Sequence, residues 1–438
     1  MVQKEILGVS RIQMGRCGES NQRKGKKSLL KIVVAILIVF ACIALWMGYL
    51  FHYFSFDREK SVVGREDYAV GLTEKDFLSA SGNVIMNQKG EPVILQGVNL
   101  GGWLIQEYWM CPVRGDVEQW TNLETIQILE KRFGMQKTQE LFQKYEDNWI
   151  TESDIEQIAA LGCNVVRVPF WYRNFMINPD GDWINENPDE NPGFQKLDWI
   201  IDLAQRYGLY VILDMHGCPG GQSTDHSSGS ARKSELFYRL EYQDSMEKLW
   251  VAIAERYWDN PTVAAYDIMN EALVDIEEGQ IDPRNILYDR MIEAIRQVDS
   301  NHIIAIEGIW WLSLLPDPVE WGWENVIYEV HTYGDIDAET VCKGLLNYSE
   351  IHQVPVYIGE FSDTKILENC RKYGLNCTSW TYKGSKPTED TWFMYYADRM
   401  IAVDVNRDPY WLIKLKWGNC LTTKYFVANE EILSDWKR

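Results

Sequence analysis

Two glutamates, Glu271 and Glu360, stand where short apolar stretches of the sequence end. Residues 263–269 (VAAYDIM) and 354–359 (VPVYIG) have the length and composition of buried β-strands. A carboxylate is unfavourable in such a strand, so a glutamate where the strand meets its loop needs a reason. In a (β/α)8 barrel, strand ends form the rim that carries catalytic residues. Two carboxylates that lie close together at this rim are the smallest set of groups that can cleave a glycosidic bond.

Strand and helix patterns alternate along most of the chain. Predicted strands cover residues 93–100, 164–170, 210–215, 263–269, 302–306, 326–330, 356–358 and 377–381. Predicted helices cover residues 151–161, 197–207, 236–257, 284–298, 338–352, 363–373 and approximately 390–401. Eight such units predict an α/β protein with a closed (β/α)8 TIM barrel. An open doubly wound sheet is the alternative, but the turn after the first strand, residues 99–103, lacks the GxGxxG spacing typical of it.

Polar and aromatic residues occur at the end of nearly every predicted strand. Each alone has an ordinary explanation, because a histidine is often structural, an arginine is usually an ion-pair partner and an Asn-Glu pair often caps a helix. Together they would face one rim, which an inert barrel does not require. The set comprises Asn99, Arg167, His216, Asn270, Glu271, His331, Tyr333, Glu360 and Trp380.

These residues resemble the hallmark set of glycoside hydrolase family 5. An Arg, a His, an Asn-Glu pair, a His-x-Tyr, a Glu and a Trp follow one another in that family's order, and the similarity covers residues 84–405. Residues 97–104 (GVNLGGWL) and 216–222 (HGCPGGQ) resemble the exo-β-1,3-glucanase branch, whereas residues 378–383 (TSWTYK) differ from that branch's context for the tryptophan. The resemblance implies a retaining enzyme that cleaves a β-linked glucan, with β-1,3-glucan as the favoured substrate.

The resemblance also implies roles for the site residues. Glu271 would be the acid/base and Glu360 the nucleophile. Arg167 is expected to lower the pKa of Glu360 and Tyr333 to donate to it, whereas burial and Glu360 should raise the pKa of Glu271. The expected supporting or sugar-binding residues are Asn99, Trp103, His216, Asn270, His331 and Trp380. Loop tryptophans suit the apolar faces of pyranose rings, although each is as typical of packing. They are Trp103, Trp109, Trp171, Trp310, Trp311, Trp321 and Trp323.

Other functions fit the same pattern. A β-1,4-glucanase, a mannanase or a transglycosylase would use the same two glutamates. A non-catalytic carbohydrate-binding barrel or an adhesive membrane scaffold would not need to keep both. The six histidines form no HExxH motif and the nine cysteines no CxxC pair, so we expect neither a metal nor a cofactor.

The N-terminal region predicts a membrane anchor. Residues 32–51 form an uncharged segment that is long enough for a membrane-spanning helix, and lysines precede it. The positive-inside rule then places the N-terminus in the cytoplasm. We expect a basic tail (residues 1–31), a signal anchor (32–54), a linker (55–80) and an extracellular catalytic domain (81–438). A cleaved signal peptide, giving a secreted protein, is the alternative.

Charge is distributed unevenly about this segment. Residues 1–31 contain eight Lys or Arg and two Glu, which gives +6, whereas the chain as a whole has −21, so the remainder carries −27. An acidic domain of this kind is not expected to bind nucleic acid.

The cysteines and glycosylation sequons add two smaller expectations. Cys370 and Cys377 are close enough in sequence for a local disulfide in an oxidising compartment, whereas Cys163 fits a buried thiol. Asn347 and Asn376 begin sequons for N-glycosylation.

The anchor generates the first prediction. If residues 32–51 span a membrane with residues from about 55 onward outside, protease added to intact cells should release the large domain. A protected domain would reverse the topology. A soluble mature protein that starts after residue 50 would show that a signal peptide had been cleaved.

Overall fold

The computed structural model describes residues 31–48, 71–116, 121–230, 234–274, 276, 279–334, 336–385, 392–397 and 401–437. The chain divides into two compact units, Met1–Phe56 and Asp57–Arg438. In the first unit, helix α1 (Lys31–Gly48) has a mean hydropathy of 2.5 and is long and apolar enough to cross a membrane, a property that signal sequences share. Residues 49–51 of the predicted span lie outside the described part.

The second unit contains a closed barrel of eight parallel strands, as the sequence predicts. Each strand neighbours the next in chain order and β8 closes onto β1. The strands are β1 (Gln96–Asn99), β2 (Val165–Trp171), β3 (Tyr210–Gly217), β4 (Val263–Asp267), β5 (Ile303–Glu307), β6 (Val326–Thr332), β7 (Val356–Phe361) and β8 (Asn376–Ser379). Trp380, expected within the last strand, follows it directly.

Helices surround the barrel and begin at recognisable caps. Thr151 starts α4 in a capping box with Asp154, and Asn191 and Asp282 cap α5 and α7, each followed by proline at the first helical position. The helices are α2 (Asn122–Phe133), α3 (Met135–Trp149), α4 (Glu152–Ala160), α5 (Pro192–Arg206), α6 (Leu240–Tyr257), α7 (Pro283–Arg296), α8 (Pro318–Trp321), α9 (Ala338–His352), α10 (Thr364–Tyr373), α11 (Tyr410–Asn419) and α12 (Glu430–Trp436).

Three features differ from the sequence prediction. The helix expected near residues 390–401 is wrong where the structure describes it, because residues 392–397 contain a short strand instead. Helices α2 and α3 between the first two strands were not predicted. The helix expected from residue 236 begins only at Leu240, after a single 3-10 turn.

A hairpin closes the amino-terminal end of the barrel. Strands Leu78–Ser81 and Val84–Asn87 pair antiparallel. Their side chains Leu78 and Ile85 join the core cluster formed by barrel residues such as Val165, Ile212 and Tyr357. The remaining short strands, Val113–Arg114, Lys383–Gly384, Tyr395–Tyr396, Val403–Asp404 and Val427–Ala428, belong to small sheets outside the barrel.

The strand register places the predicted rim residues at one end. Asn99 pairs with Arg167 and His331 with Glu360. The register of β7 shifts between Ile358 and Glu360, and bulges of this kind re-aim a side chain. A Cβ on Gly359 would lie 1.6 Å from Oε1 of Glu329, so only glycine fits at this point. The backbone of β7 therefore passes close to the buried side chain of Glu329 just before Glu360.

Burial determines whether the predicted cysteine and N-glycosylation sites are accessible. Cys163 is a buried free thiol, as expected, and burial raises its pKa to about 12. The predicted disulfide is wrong for this structure, because Cys370 and Cys377 are both free, buried thiols. Asn376 is also buried, and its amide donates to the carbonyl of Val356 at 2.9 Å, so the folded sequon is inaccessible. Asn347 is exposed on α9.

Candidate active site

A buried arginine lies at the centre of the rim. Arg167 extends from β2 with no exposed side-chain surface. Its Nη1 lies 2.9 Å from Oε1 of Glu360 and 3.1 Å from Oδ2 of Asp214, and its Nη2 lies 2.7 Å from Oδ2 of Asp267. Burying one cation costs several kcal/mol unless it is paired. Here carboxylates from four other strands pair with it, the fourth being Glu329, whose Oε1 lies 3.5 Å from Nε of Arg167. They raise the pKa of Arg167 well above its usual value despite burial, so it is a permanent cation.

Glu360, the predicted nucleophile, is held from two sides. Arg167 donates to Oε1, and the hydroxyl of Tyr333 donates to Oε2 at 2.7 Å. These bonds fix the carboxylate and leave it facing the rim. Arg167 does lower the pKa of Glu360, as expected, but the net shift of this pKa is upward. Burial raises the pKa of Glu360 more than the charges of His331 and Arg167 lower it.

Glu271, the predicted acid/base, lies beyond the end of β4. Its φ of 40° is left-handed, a conformation that non-glycine residues rarely adopt. Nδ1 of His331 lies 2.8 Å from its Oε1. Burial raises the pKa of Glu271, but the hydrogen bond and charge of His331 lower it further, so the pKa lies below its usual value. The expected upward shift of the Glu271 pKa is therefore wrong for the free protein.

The two carboxylates and His331 lie close together. One ligand-type atom from each of Glu271, His331 and Glu360 lies within 4.8 Å of the other two. This spacing matches retaining glycosidases, whose two carboxyl groups are about 5–5.5 Å apart, and not the about 6.5–9.5 Å of inverting ones. Within the described part of the chain, these three side chains are also close enough together to hold a metal ion. Within the cluster Glu271 bonds to His331, whereas Glu360 bonds to Arg167 and Tyr333.

Other predicted residues support this pair. Asn99 accepts from Nη1 of Arg167 at 3.1 Å and donates to the carbonyl of Gly359 at 2.9 Å. Asn270 accepts from Nη2 of Arg167 at 3.0 Å. Nδ1 of His216 lies 2.8 Å from Asp214, and Trp380 stacks on its ring at 5.3 Å. The structure thus brings eight of the predicted residues to one site with Arg167.

Trp103 is the exception, and its placement among the sugar-binding residues is wrong. Its side chain is 1% exposed, its Nε1 donates to the carbonyl of Glu146 at 3.0 Å, and its ring packs on Trp199. The turn after β1 therefore directs this ring into the surrounding helices. Trp310, by contrast, is 46% exposed and its ring meets that of Tyr333 edge-on at 6.3 Å.

Glu107 was not predicted. It follows β1, is buried, accepts from Nε1 of Trp109 at 2.8 Å and lies 3.2 Å from Nδ1 of His226. Burial is the largest cause of the raised pKa of Tyr333, followed by the two predicted catalytic glutamates, and Glu107 adds a smaller contribution. Its signal in the sequence was a carboxylate in the loop after a strand, as for Glu271.

A layer of buried acids beneath the site was also not predicted. Each occupies a barrel strand, and each has one oxygen with no hydrogen-bond partner among the described residues. Burial raises the pKa of Asp267 and of Glu307 well above the usual range. The four residues are Asp214, Asp267, Glu307 and Glu329.

The sequence matches known proteins over much of its length. The family model described as cellulase (glycosyl hydrolase family 5) matches residues 118–399. A beta-xylosidase of Phanerodontia chrysosporium is 32% identical over 260 residues, which cover 59% of this chain and 52% of that protein. The chain thus matches about half of that relative's length. A probable glucan 1,3-beta-glucosidase A of Aspergillus niger is 28% identical, covering 64% of this chain and 67% of that protein.

Solved structures share the fold. An endogalactoceramidase is similar with a TM-score of 0.53 and 17% identity, over 70% of this chain and 75% of that one. A rutinosidase from Aspergillus niger is similar with a TM-score of 0.50 and 17% identity, over 73% of this chain and 93% of that one. At these identities the likeness establishes the barrel and no substrate.

The site predicts independence from metal. Two carboxylates and a histidine that already bond to protein groups require no cation for acid, base or nucleophile roles. Exhaustive chelation should therefore leave kcat/KM unchanged within twofold. A loss that one divalent ion restores would show that the trio binds metal.

Proposed function

Because this chain belongs to glycosyl hydrolase family 5, we propose that it is a retaining glycoside hydrolase that cleaves β-linked glucans. The observation that carries the proposal is the pair of carboxylates within 4.8 Å of each other at the barrel rim. One of them, Glu360, is held by Arg167 and Tyr333, and the other, Glu271, by His331. Different partners suit the two groups to different roles.

Glu360 performs the first displacement. Its carboxylate attacks the anomeric carbon while the bond to the leaving oxygen breaks and a proton passes to that oxygen from Glu271. Arg167 and Tyr333 keep the attacking oxygens fixed, so little reorganisation is needed on the way to the transition state. Asn270, held by Arg167, is placed to bond the sugar 2-hydroxyl, where contacts strengthen in the transition state.

The acid proton belongs to the Glu271–His331 pair. In the proposed mechanism this proton rests on His331 in the free protein. Neighbouring carboxylates outweigh burial and raise the pKa of His331 well above its usual value. The Glu271 side chain is 20% exposed, so a bound sugar displaces the water around it. Desolvation raises the pKa of a carboxyl group, which moves the proton across the 2.8 Å bond to Glu271.

Water completes the reaction. Glu271, now ionised, takes a proton from a water molecule, whose oxygen attacks the anomeric carbon of the glycosyl-enzyme. The bond to Glu360 breaks and its carboxylate returns to Arg167 and Tyr333. Two displacements restore the original β configuration. A sugar hydroxyl in place of water would give transglycosylation by the same steps.

β-1,3-Glucan is the proposed preferred substrate. The support is the motif at residues 97–104 and the relatives named glucan 1,3-beta-glucosidase. A relative named beta-xylosidase makes a β-xyloside the second substrate to examine. The stacked rings of Tyr333 and Trp392, 4.8 Å apart, and the exposed Trp310 offer apolar faces for sugars beside the two glutamates.

We also propose a location and a domain organisation. Residues 32–51 would anchor the protein, with the N-terminal tail in the cytoplasm and the catalytic domain, residues 81–438, outside the cell. The apolar helix α1 and the lysines before it support this topology. Secretion after signal cleavage is the second candidate, since helix α1 also satisfies the requirements for a signal sequence.

A substrate panel tests the linkage. The purified protein should release products fastest from β-1,3-glucan when it is offered β-1,3-, β-1,4- and β-1,6-glucans, mannan and aryl β-xyloside at equal concentration. Product analysis separates exo from endo action. Faster turnover of another polymer would replace the proposed substrate and leave the mechanism intact.

Variants of the two glutamates test the mechanism. Glu271→Gln should lose about 10²–10⁴-fold in kcat/KM on substrates with poor leaving groups and much less on activated aryl glycosides, which need no acid. Glu360→Gln serves as the matched control and should lose activity on both, because the nucleophile acts in each case.

Azide distinguishes the two roles further. Added to Glu271→Ala, it should yield a β-glycosyl azide by intercepting the covalent intermediate, and added to Glu360→Ala, the α-azide. Products of the opposite configuration would exchange the two assignments. Equal losses on both substrates for both variants would contradict the proposed division of roles.

A further inference from the structure

Glu307 is a buried carboxyl group that the proposed mechanism does not use. It is the last residue of β5 and is 1% exposed, so its carboxyl group is not accessible to a sugar at the rim. Instead its Oε2 accepts the backbone N–H of Glu271 at 2.6 Å. A carboxylate at a strand end is therefore directed at the main chain of the acid/base.

The main chain of Glu271 needs such a partner. A φ of 40° is left-handed, a conformation that is strained for a residue with a Cβ. Strand β4 has ended at Asp267, so the ladder no longer holds this residue. The N–H of Glu271 donates to the Glu307 carboxyl group, and this buried hydrogen bond offsets part of the strain.

The same carboxylate reaches the residue that holds the Glu271 side chain. Its Oε1 lies 3.6 Å from Nδ1 of His331, the atom that also lies 2.8 Å from Oε1 of Glu271. This Oε1 has no hydrogen-bond partner among the described residues and is free to receive that interaction. Glu307 thus contacts both the backbone of the acid/base and its histidine partner.

Glu307 is itself held rigidly. The hydroxyl of Tyr288 donates to its carbonyl at 3.1 Å, and the next residue, Gly308, donates to the carbonyl of Glu329 at 2.9 Å. Its β5 position pairs directly with Glu329 of β6. A strand on each side and helix α7 behind it leave the carboxylate little freedom.

We propose that Glu307 is a positioning residue that fixes Glu271 in its left-handed conformation and holds His331 against it. This inference rests on the proposed function, since it assumes that Glu271 is the acid/base. Glu307 touches no reacting atom, so its effect passes entirely through Glu271 and His331. It should therefore matter for proton donation and not for the attack by Glu360.

The charged and titratable surroundings of Glu307 set the expected pH effect. Its negative charge is a leading cause of the raised pKa of His331, against the opposing effect of burial. Removing that charge should lower the pKa of His331, so the basic limb of the pH–rate profile should move to lower pH. The groups that face Glu307 are Glu271 and Asp267 from β4 and its loop, His331 and Glu329 from β6, and Arg284 and Tyr288 from α7.

Two variants separate these effects. Glu307→Ala removes both contacts, and kcat/KM should fall about 10²-fold or more on poor leaving groups but less than tenfold on activated aryl glycosides. Glu307→Gln keeps an oxygen that can accept the N–H of Glu271 but loses the charge. It should therefore retain more activity on poor leaving groups than Glu307→Ala, with its basic limb moved to lower pH.

Asp267→Asn is the matched control. Asp267 is a buried acid of the same layer, but it bonds to Arg167 and not to Glu271. Its loss acts through Arg167 on the nucleophile, so kcat/KM should fall by a similar factor on both classes of substrate. A purely structural role for Glu307 would give this same pattern.

Each outcome decides the inference. Unequal losses with Glu307→Ala, or a shifted basic limb with Glu307→Gln if the alanine variant does not fold, support it. Equal losses on both substrates with an unmoved pH profile overturn it. Glu271→Gln, measured alongside, distinguishes the failures: if it shows leaving-group dependence and the Glu307 variants do not, only the positioning role fails. If Glu271→Gln shows none, the proposed function fails as well.

Discussion

The site depends on one buried cation. Arg167 is enclosed by carboxylates from strands β3, β4, β6 and β7, and none of its side chain is exposed. Removing one partner of a buried ion pair typically costs about 3–5 kcal/mol, because the other charge is left uncompensated. The guanidinium therefore joins four strands of the barrel electrostatically. It also orients Glu360, Asn99 and Asn270 through direct hydrogen bonds, so folding and the proposed catalysis depend on the same group.

The two glutamates that we propose as catalytic depend on different neighbours. Glu360 lies in a strand, bonds to a permanent cation and a tyrosine, and is almost completely buried. Glu271 lies beyond its strand in a strained conformation, bonds to a histidine that can gain or lose a proton, and is partly exposed. A fixed environment suits a nucleophile, whereas a titratable partner and access to solvent suit a group that must change protonation in each half-reaction.

Much of this architecture could be predicted from the sequence. Apolar runs with polar ends identified all eight strands, and the same ends identified Arg167, Glu271 and Glu360. Asp267 and Glu329 were missed because they stand inside predicted apolar strands, whereas Glu307 directly follows one, and only the closed barrel shows that the three acids meet. Trp103 was misplaced because sequence does not reveal which way a turn directs its side chains. The pKa of Glu271 was predicted in the wrong direction because the position of His331 beside it depends on tertiary contacts.

The central claim is that the two glutamates act in succession through a covalent intermediate. The stereochemistry of the product tests this claim most directly. Proton NMR during the first minutes of turnover of a β-glucoside or β-glucan substrate reports the anomeric configuration before mutarotation. We predict that the β-anomer appears first and the α-anomer only later, by mutarotation. An initial α-product would show a single displacement and contradict the roles given to Glu271 and Glu360.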